Sequence, residues 1–240
     1  MDNSISQKQL AGIIGGIGPE AGIYFATLLI KLRMPDVTKD QDHIPFILYN
    51  NPQIPDRTRY LLKQNEMSPV PELVKTGKAL KDAGATFLAI PCNTAHAFAK
   101  EIEEGVGLPV LNMIDETASY IAKKYGDAPV GLLATTGTLE SKIYQQAFQK
   151  VAENGTIFIP SEDEQRKVMQ AIYSIKSSSV TEESFSILSE AANNLIKKGA
   201  SVIVLGCTEI PLALTAEKCL FERVDPMEIL AKKVIEKTLA

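Results

Sequence analysis

Two stretches of this 240-residue chain read as copies of one another, and each carries a cysteine near its end. One runs Leu80-Lys-Asp-Ala-Gly-Ala-Thr-Phe-Leu-Ala-Ile-Pro-Cys-Asn-Thr94, the other Leu195-Ile-Lys-Lys-Gly-Ala-Ser-Val-Ile-Val-Leu-Gly-Cys-Thr-Glu209. Gly84 and Gly199, Ala85 and Ala200, and Cys92 and Cys207 all stand 115 positions apart. A second echo, Gly12-Ile-Ile-Gly-Gly-Ile-Gly18 against Gly131-Leu-Leu-Ala-Thr-Thr-Gly137, is offset by 119. Self-similarity at a fixed offset constrains the fold to like units. Each half is expected to hold an early strand ending in a loop of small or hydroxyl residues, and a later strand ending at a thiol.

Apolar patterning supplies the class. Short apolar runs alternate with longer stretches of helical period, the mark of an α/β chain with mainly parallel strands. Strands are expected at 11–15, 45–49, 87–90, 110–113, 130–134, 156–159 and 202–205, with a further one at 221–224. Leu139, Ile143, Tyr144, Ala147, Phe148 and Val151 recur at helical steps, as do Ile229, Leu230, Val234 and Ile235; both stripes read as core-facing helix surface. The switch between halves falls near Asn112 to Thr117. That predicts a first domain over 1–114 and a second over 115–211, with the C-terminal helix within 212–240 returning to the first. Open parallel sheets bind ligands at the C-terminal ends of their strands. Both small-residue loops and both cysteines fall at such ends, so two halves facing one another would line a single cleft.

Composition narrows the partners. A hydrophobic content of 45% in 240 residues is ample for these cores. The net charge is −4, and the lysines are scattered through helical stretches instead of forming a basic stripe, which argues against nucleic acid and for a small-molecule ligand. Met1 to Gln9 lacks the apolar run of a signal peptide, and no stretch approaches the roughly 18 apolar residues that cross a bilayer. Three cysteines make no disulfide framework. A cytoplasmic protein with free thiols and no membrane contact is the expectation. Two histidines, His43 and His96, without a Cys-x-x-Cys pair give no metal site.

Cys92 and Cys207 each follow an expected strand and precede what reads as a helix start. Unpaired N–H groups and the positive helix end at such a junction favour thiolate, and from a reference pKa of about 8.5 a modest depression populates it near neutrality. A free cysteine is usually a buried, inert packing residue, which is the reading for Cys219. Two at equivalent places, each followed by short polar residues, point to chemistry. Asn93, Thr94, Thr208 and Glu209 suit either helix capping or the charged ends of a ligand. The glycine-rich stretch 12–19 lacks the Lys-Ser/Thr of a P-loop, and its glycines suit close backbone approach to a small carboxylate. Arg57 closes a proline-punctuated loop after the strand at 45–49, where a two-pronged pair with a carboxylate is available.

Taken together, Gly15-Gly-Ile-Gly-Pro19, Asn51-Pro-Gln-Ile-Pro-Asp-Arg57, Pro91-Cys-Asn-Thr-Ala-His96, Leu133-Ala-Thr-Thr-Gly-Thr138 and Val204-Leu-Gly-Cys-Thr-Glu-Ile-Pro211 resemble the aspartate/glutamate racemase family, in particular its cofactor-independent aspartate racemase branch. The resemblance implies two pseudo-symmetric α/β domains, an active site between them, no cofactor and a homodimer. Cys92 and Cys207 match the family's catalytic thiols, one removing the α-proton as thiolate while the other protonates the opposite face. Cys92 matches the thiol serving the D-isomer and Cys207 the one serving the L-isomer. Asn93, Thr94 and Thr208 match residues that hold the α-amino and α-carboxylate groups, and Thr135 and Thr138 fall in the loop that does similar work in the second half. Arg57 and Lys176 match the cations that recognise a side-chain carboxylate, and Gln53 and Glu209 match further cleft positions. The implied substrate is a small dicarboxylic amino acid.

The departures are informative. The glutamate racemase branch resembles Asp-Ser-Gly-x-Gly-Gly at its first loop and Gly-Cys-Thr-His at its second thiol, where this chain has Gly15-Gly-Ile-Gly18 and Gly206-Cys-Thr-Glu209. Glutamate as sole substrate is therefore disfavoured. Some relatives carry threonine in place of the first cysteine and process only L-isomers, against which Cys92 argues. Maleate isomerases, hydantoin racemases and arylmalonate decarboxylases reuse one or both cysteine positions, but Arg57 with Lys176 favours a dicarboxylic amino acid. A non-catalytic amino-acid-binding module would have no use for paired thiols.

Overall fold

The computed structural model describes residues 9–64, 67–152, 155–177 and 180–240; of the N-terminal stretch read for targeting, only Gln9 lies within them. In chain order the first half comprises β1 (Ala11–Gly15), α1 (Pro19–Arg33), β2 (Phe46–Asn50), α2 (Arg57–Leu61), α3 (Val70–Asp82), β3 (Phe87–Ala89), α4 (Ala99–Val106) and β4 (Val110–Leu111). Next come α5 (Met113–Tyr125), β5 (Val130–Ala134), α6 (Thr136–Glu140), α7 (Ile143–Val151), β6 (Ile157–Phe158), α8 (Glu162–Ser177), α9 (Glu182–Lys197) and β7 (Val202–Gly206). The chain closes with α10 (Ile210–Ala213), β8 (Arg223–Val224) and α11 (Pro226–Leu239). Two parallel four-stranded sheets result, ordered β2-β1-β3-β4 and β6-β5-β7-β8, with helices on their faces.

The sequence repeat has a backbone cause. Helix α3 ends with Gly84 at φ +103° and α9 with Gly199 at φ +111°. In the first, Gly84 N–H donates to Lys81 O (2.9 Å) and Ala85 N–H to Leu80 O (3.0 Å). In the second, Gly199 donates to Ile196 O (2.9 Å) and Ala200 to Leu195 O (3.1 Å). This paired closure of a helix end needs a left-handed residue, hence glycine, just past the last turn. The alanines that follow press on the other repeated glycines: a Cβ at Gly12 would meet Ala85 Cβ at 2.8 Å, and one at Gly131 would meet Ala200 Cβ at 3.2 Å. Those two glycines therefore lie within central strands as packing positions, upstream of any ligand loop.

The helices that follow the two edge strands β4 and β8 each pack across to the other sheet. Asn112 ends the run at 110–113 early, because its Oδ1 accepts from the N–H groups of Ile114 and Asp115 and opens α5. Ile114, Ala118 and Ile121 of α5 then pack with Val130, Leu132 and Val204 of the second sheet. Asp225 likewise caps α11 by accepting from Met227 N–H, and Met227, Leu230 and Val234 pack with Ile13, Phe25 and Phe87 of the first half. Of the C-terminal stretch 212–240, only 226–239 forms that helix. The residues before it supply β8 to the second sheet.

Candidate active site

Both cysteines leave the ends of central strands. Cys92 follows β3 and precedes a five-residue 3-10 turn, Thr94–Phe98; Cys207 follows β7 and precedes the four-residue α10. They are 7% and 5% exposed and line one cavity together with Arg57, Asn93, Thr94, Thr135, Lys176, Thr208 and Glu209. The free space there is only about 10 Å³, enough for about one water. A neighbouring cavity of about 200 Å³ shares Arg57, Lys176, Thr208 and Glu209 and is floored by Gly16 and Gly18. A larger one, about 820 Å³, lies against α6 and α8 and shares only Thr58 with the central wall.

The expectation of a thiolate-favouring junction does not hold at Cys207. Burial and the neighbouring Glu209 carboxylate push this thiol well above its ordinary value, against the opposing pull of Lys176. Its Sγ donates to Glu209 Oε2 at 2.9 Å, and Thr208 Oγ1 donates to the same oxygen at 3.2 Å. One turn of α10 supplies little dipole against a carboxylate in direct contact. The other oxygen, Glu209 Oε1, stands 3.9 Å from Lys176 Nζ. Burial pulls the Lys176 ammonium down, but Glu209, Cys207 and Cys92 outweigh that loss, and its pKa is raised. Glu209 thus meets protein partners with both oxygens.

The remaining wall joins the two halves. Thr94 Oγ1 lies 2.9 Å from both Thr135 Oγ1 and Thr138 Oγ1, which are 3.0 Å apart. Three hydroxyl protons can close three bonds in this triangle, so none is spare for a ligand until it opens. Thr138 is fully buried and stands behind the wall. Arg57 opens α2 after the capping residue Asp56, and its Nη1 donates to Ile54 O (3.3 Å) and Pro55 O (3.0 Å). Among the described residues its buried Nε has no partner, and neither has the buried Asn93 Nδ2.

Of the expected residues, Gln53 departs most clearly. It is exposed and does not line the central or neighbouring cavity, because Asn51 Oδ1 accepts its backbone N–H in a tight turn. The glycine loop also has a local explanation. At Gly16 (φ +88°) a Cβ would fall 2.2 Å from the carbonyl carbon of Asn51, so the close approach is to the chain itself. His96, ambiguous in sequence, is a staple: Nε2 accepts from Met113 N–H at 3.1 Å, which leaves Nδ1 to donate to Cys92 O at 2.9 Å. Burial lowers its pKa and keeps it neutral in that form. Sequence reasoning missed Ile17, Asp56 and Thr58, which complete the cavity wall. Of the three, only Asp56 carries a local signal, an aspartate in the capping position just before a helix.

The two sheets share one strand order, and each sends a thiol from the matching strand end to the wall of a single cavity, an α/β fold of two like halves. The chain belongs to the Asp/Glu/Hydantoin racemase family, whose model matches residues 14–234. It is 27% identical to the broad-specificity amino-acid racemase RacX of Bacillus subtilis, over 96% of this chain and 99% of that one. Among solved structures it resembles an aspartate racemase of Picrophilus torridus at 32% identity and TM-score 0.83, covering 96% and 94% of the two chains. A glutamate racemase of Francisella tularensis, solved with D-glutamate, shares the fold at 19% identity and TM-score 0.69, over 96% and 80% of the chains. No helix among the described residues is long and apolar enough to cross a membrane.

Proposed function

We propose that this chain is a cofactor-independent racemase that interconverts L- and D-aspartate, with glutamate the neighbouring substrate to assay, and that Cys92 and Cys207 are its two bases. One observation carries the reading: two buried thiols from equivalent strand ends line a single cavity whose unduplicated side bears Arg57 and Lys176. The duplication suits proton transfer at either face of one carbon. The cations suit a side-chain carboxylate. The names of the Bacillus and Picrophilus relatives support amino-acid racemisation and aspartate respectively.

A two-base cycle needs one thiol and one thiolate at the start of each turnover. Cys207, buried and hydrogen-bonded to Glu209, is suited to begin as the proton donor, which assigns the first abstraction to Cys92. The α-proton passes to Cys92 Sγ while the Cys207 proton is delivered to the opposite face, and the reverse turnover exchanges the roles. Charge that develops on the α-carboxylate is met by donors in a space too small for bulk water, where such interactions are strongest. An amino acid enters only when the hydroxyl triangle opens or the cavity merges with its neighbour. Glu209 is assigned to Cys207 as its hydrogen-bond partner instead of to the substrate. A cytoplasmic homodimer belongs to the same proposal.

The test is incubation with pure L-aspartate in deuterated water, following optical rotation and α-deuterium by NMR, with Cys92→Ala and Cys207→Ala alongside. Loss of rotation with deuterium incorporation, with racemisation abolished by either substitution, is expected. A wild-type protein that neither racemises nor exchanges any dicarboxylic amino acid sinks the reading.

A further inference from the structure

One buried hydroxyl at the cleft has no part in the scheme above. Tyr144 of α7 is fully buried, and its Oη lies 2.6 Å from Asn93 Oδ1 in the first half. Among the described residues this is the one hydrogen bond the hydroxyl makes. A phenol buried away from water must place its proton on that partner, because leaving the donor unpaired costs more than the bond returns. The amide oxygen of Asn93 therefore faces Tyr144. Burial also drives the phenol pKa well above its ordinary value, so the proton stays in place at any working pH.

The consequence falls on the other branch of the amide. Asn93 lines the central cavity, and its buried Nδ2 has no partner among the described residues. The Nε of Arg57, on the same cavity, is in the same condition. Protein interiors rarely leave donors unpaired. Two such donors, on residues that line one small cavity, mark where acceptor atoms belong. An asparagine free to turn can meet a carboxylate with its nitrogen or an ammonium with its oxygen; one whose oxygen is tied can only donate.

We propose that Tyr144 is a positioning residue, locking the Asn93 amide with its NH2 group toward the cleft, so that Asn93 binds a carboxylate of the substrate and not its ammonium group. The inference rests on the racemase reading, in which an amino acid occupies this cavity. The ammonium is then left to acceptors elsewhere on the wall, the Asp56 carboxylate among them. Since Tyr144 belongs to the second half and Asn93 to the first, the amide is oriented only when the halves are closed on one another.

Succinate, a dicarboxylate without an ammonium group, separates the two roles. Its affinity would be measured by calorimetry on wild type, Tyr144→Phe and Asn93→Asp, with aspartate kinetics and thermal melts in parallel. Tyr144→Phe keeps the ring and removes the lock; the succinate Kd and the aspartate KM should rise together, by about 10-fold or more for a lost buried donor. Asn93→Asp keeps an oxygen for Tyr144 but turns the donor into an acceptor, and should abolish succinate binding. Wild-type succinate affinity in either folded variant overturns the proposal, even if the melting temperature falls. A wild-type protein that fails to bind succinate or racemise aspartate removes the underlying reading instead, and that failure is visible before any substitution.

Discussion

Gly137→Ala tests whether contact between the halves sets the geometry of the cleft. A Cβ at Gly137 in α6 would lie 2.8 Å from Thr58 Cα, 3.0 Å from its Oγ1 and 3.1 Å from its Cβ. Carbon atoms settle at about 3.5–4.0 Å, so α2 must retreat by roughly 1 Å, and Arg57, one residue earlier in α2, moves with it. Overpacking of this kind costs about 1–3 kcal/mol. Alanine in place of a helical glycine returns up to about 1 kcal/mol. With that return in full, the net loss is about 0–2 kcal/mol, which lowers Tm by no more than about 8 °C in a chain of this size. Activity should suffer far more, since a misplacement of about 1 Å at a reacting centre costs about 100-fold. Aspartate kcat/KM and a thermal melt measure the two effects. Gly126→Ala is the control: its φ is +61° and no atom lies within 4 Å, so alanine there strains the backbone without touching the cleft. An undiminished kcat/KM in Gly137→Ala, or an equal loss in Gly126→Ala, refutes the reasoning.

Three further outcomes are expected. Glu209→Gln removes the charge that helps hold the Cys207 proton, so alkylation of Cys207 at a fixed pH, followed by mass spectrometry, should accelerate; an unchanged rate–pH profile counts against that role. Arg57→Ala should raise the KM for aspartate by about 10- to 100-fold, the loss expected of a charged hydrogen bond, and a KM equal to wild type would remove Arg57 from substrate recognition. Asp225 is lifted from 3.8 to about 7, first by burial and then by Glu228. A carboxyl whose pKa is raised on folding adds stability that is fully present below 3.8 and lost as pH rises through about 7. The loss is on the order of 4 kcal/mol at about 1.4 kcal/mol per pH unit. Asp225→Asn keeps the capping acceptor and should flatten that slope in urea titrations at pH 5 and pH 8; a slope left intact would show that other groups set it.

Legibility in the sequence followed the range of the forces involved. The strands at 11–15 and 130–134 stand where the apolar runs placed them, because central parallel strands are buried on both faces and show as unbroken apolar stretches. The run at 110–113 ends as a strand at Leu111, since a single capping asparagine outweighs an apolar methionine in starting α5. Residues that meet in the cavity were legible when they sat beside a cysteine at a strand end. Gln53 enters only through the family resemblance, and the turn at Asn51 leaves it exposed. Tyr144 was hidden in the opposite way, because its ring fits an apolar helix stripe and only the fold brings its oxygen 2.6 Å from Asn93. The hold on the Cys207 proton was also illegible, as it depends on a carboxylate two residues away turning back toward the sulfur.

The exchange of final helices bears on how the chain can be cut. Severed in the turn at Gly126 to Ala128, the protein would leave α5 on the leading fragment, where its apolar face belongs to the core of the trailing one. The trailing fragment would carry α11, whose Met227, Leu230 and Val234 pack in the core of the leading one. Each piece would lack one of the helices that cover its sheet, and would hold the one missing from the other. Two such fragments are matched for reassembly, and a nicked chain has reason to stay together where a chain of independent modules would come apart.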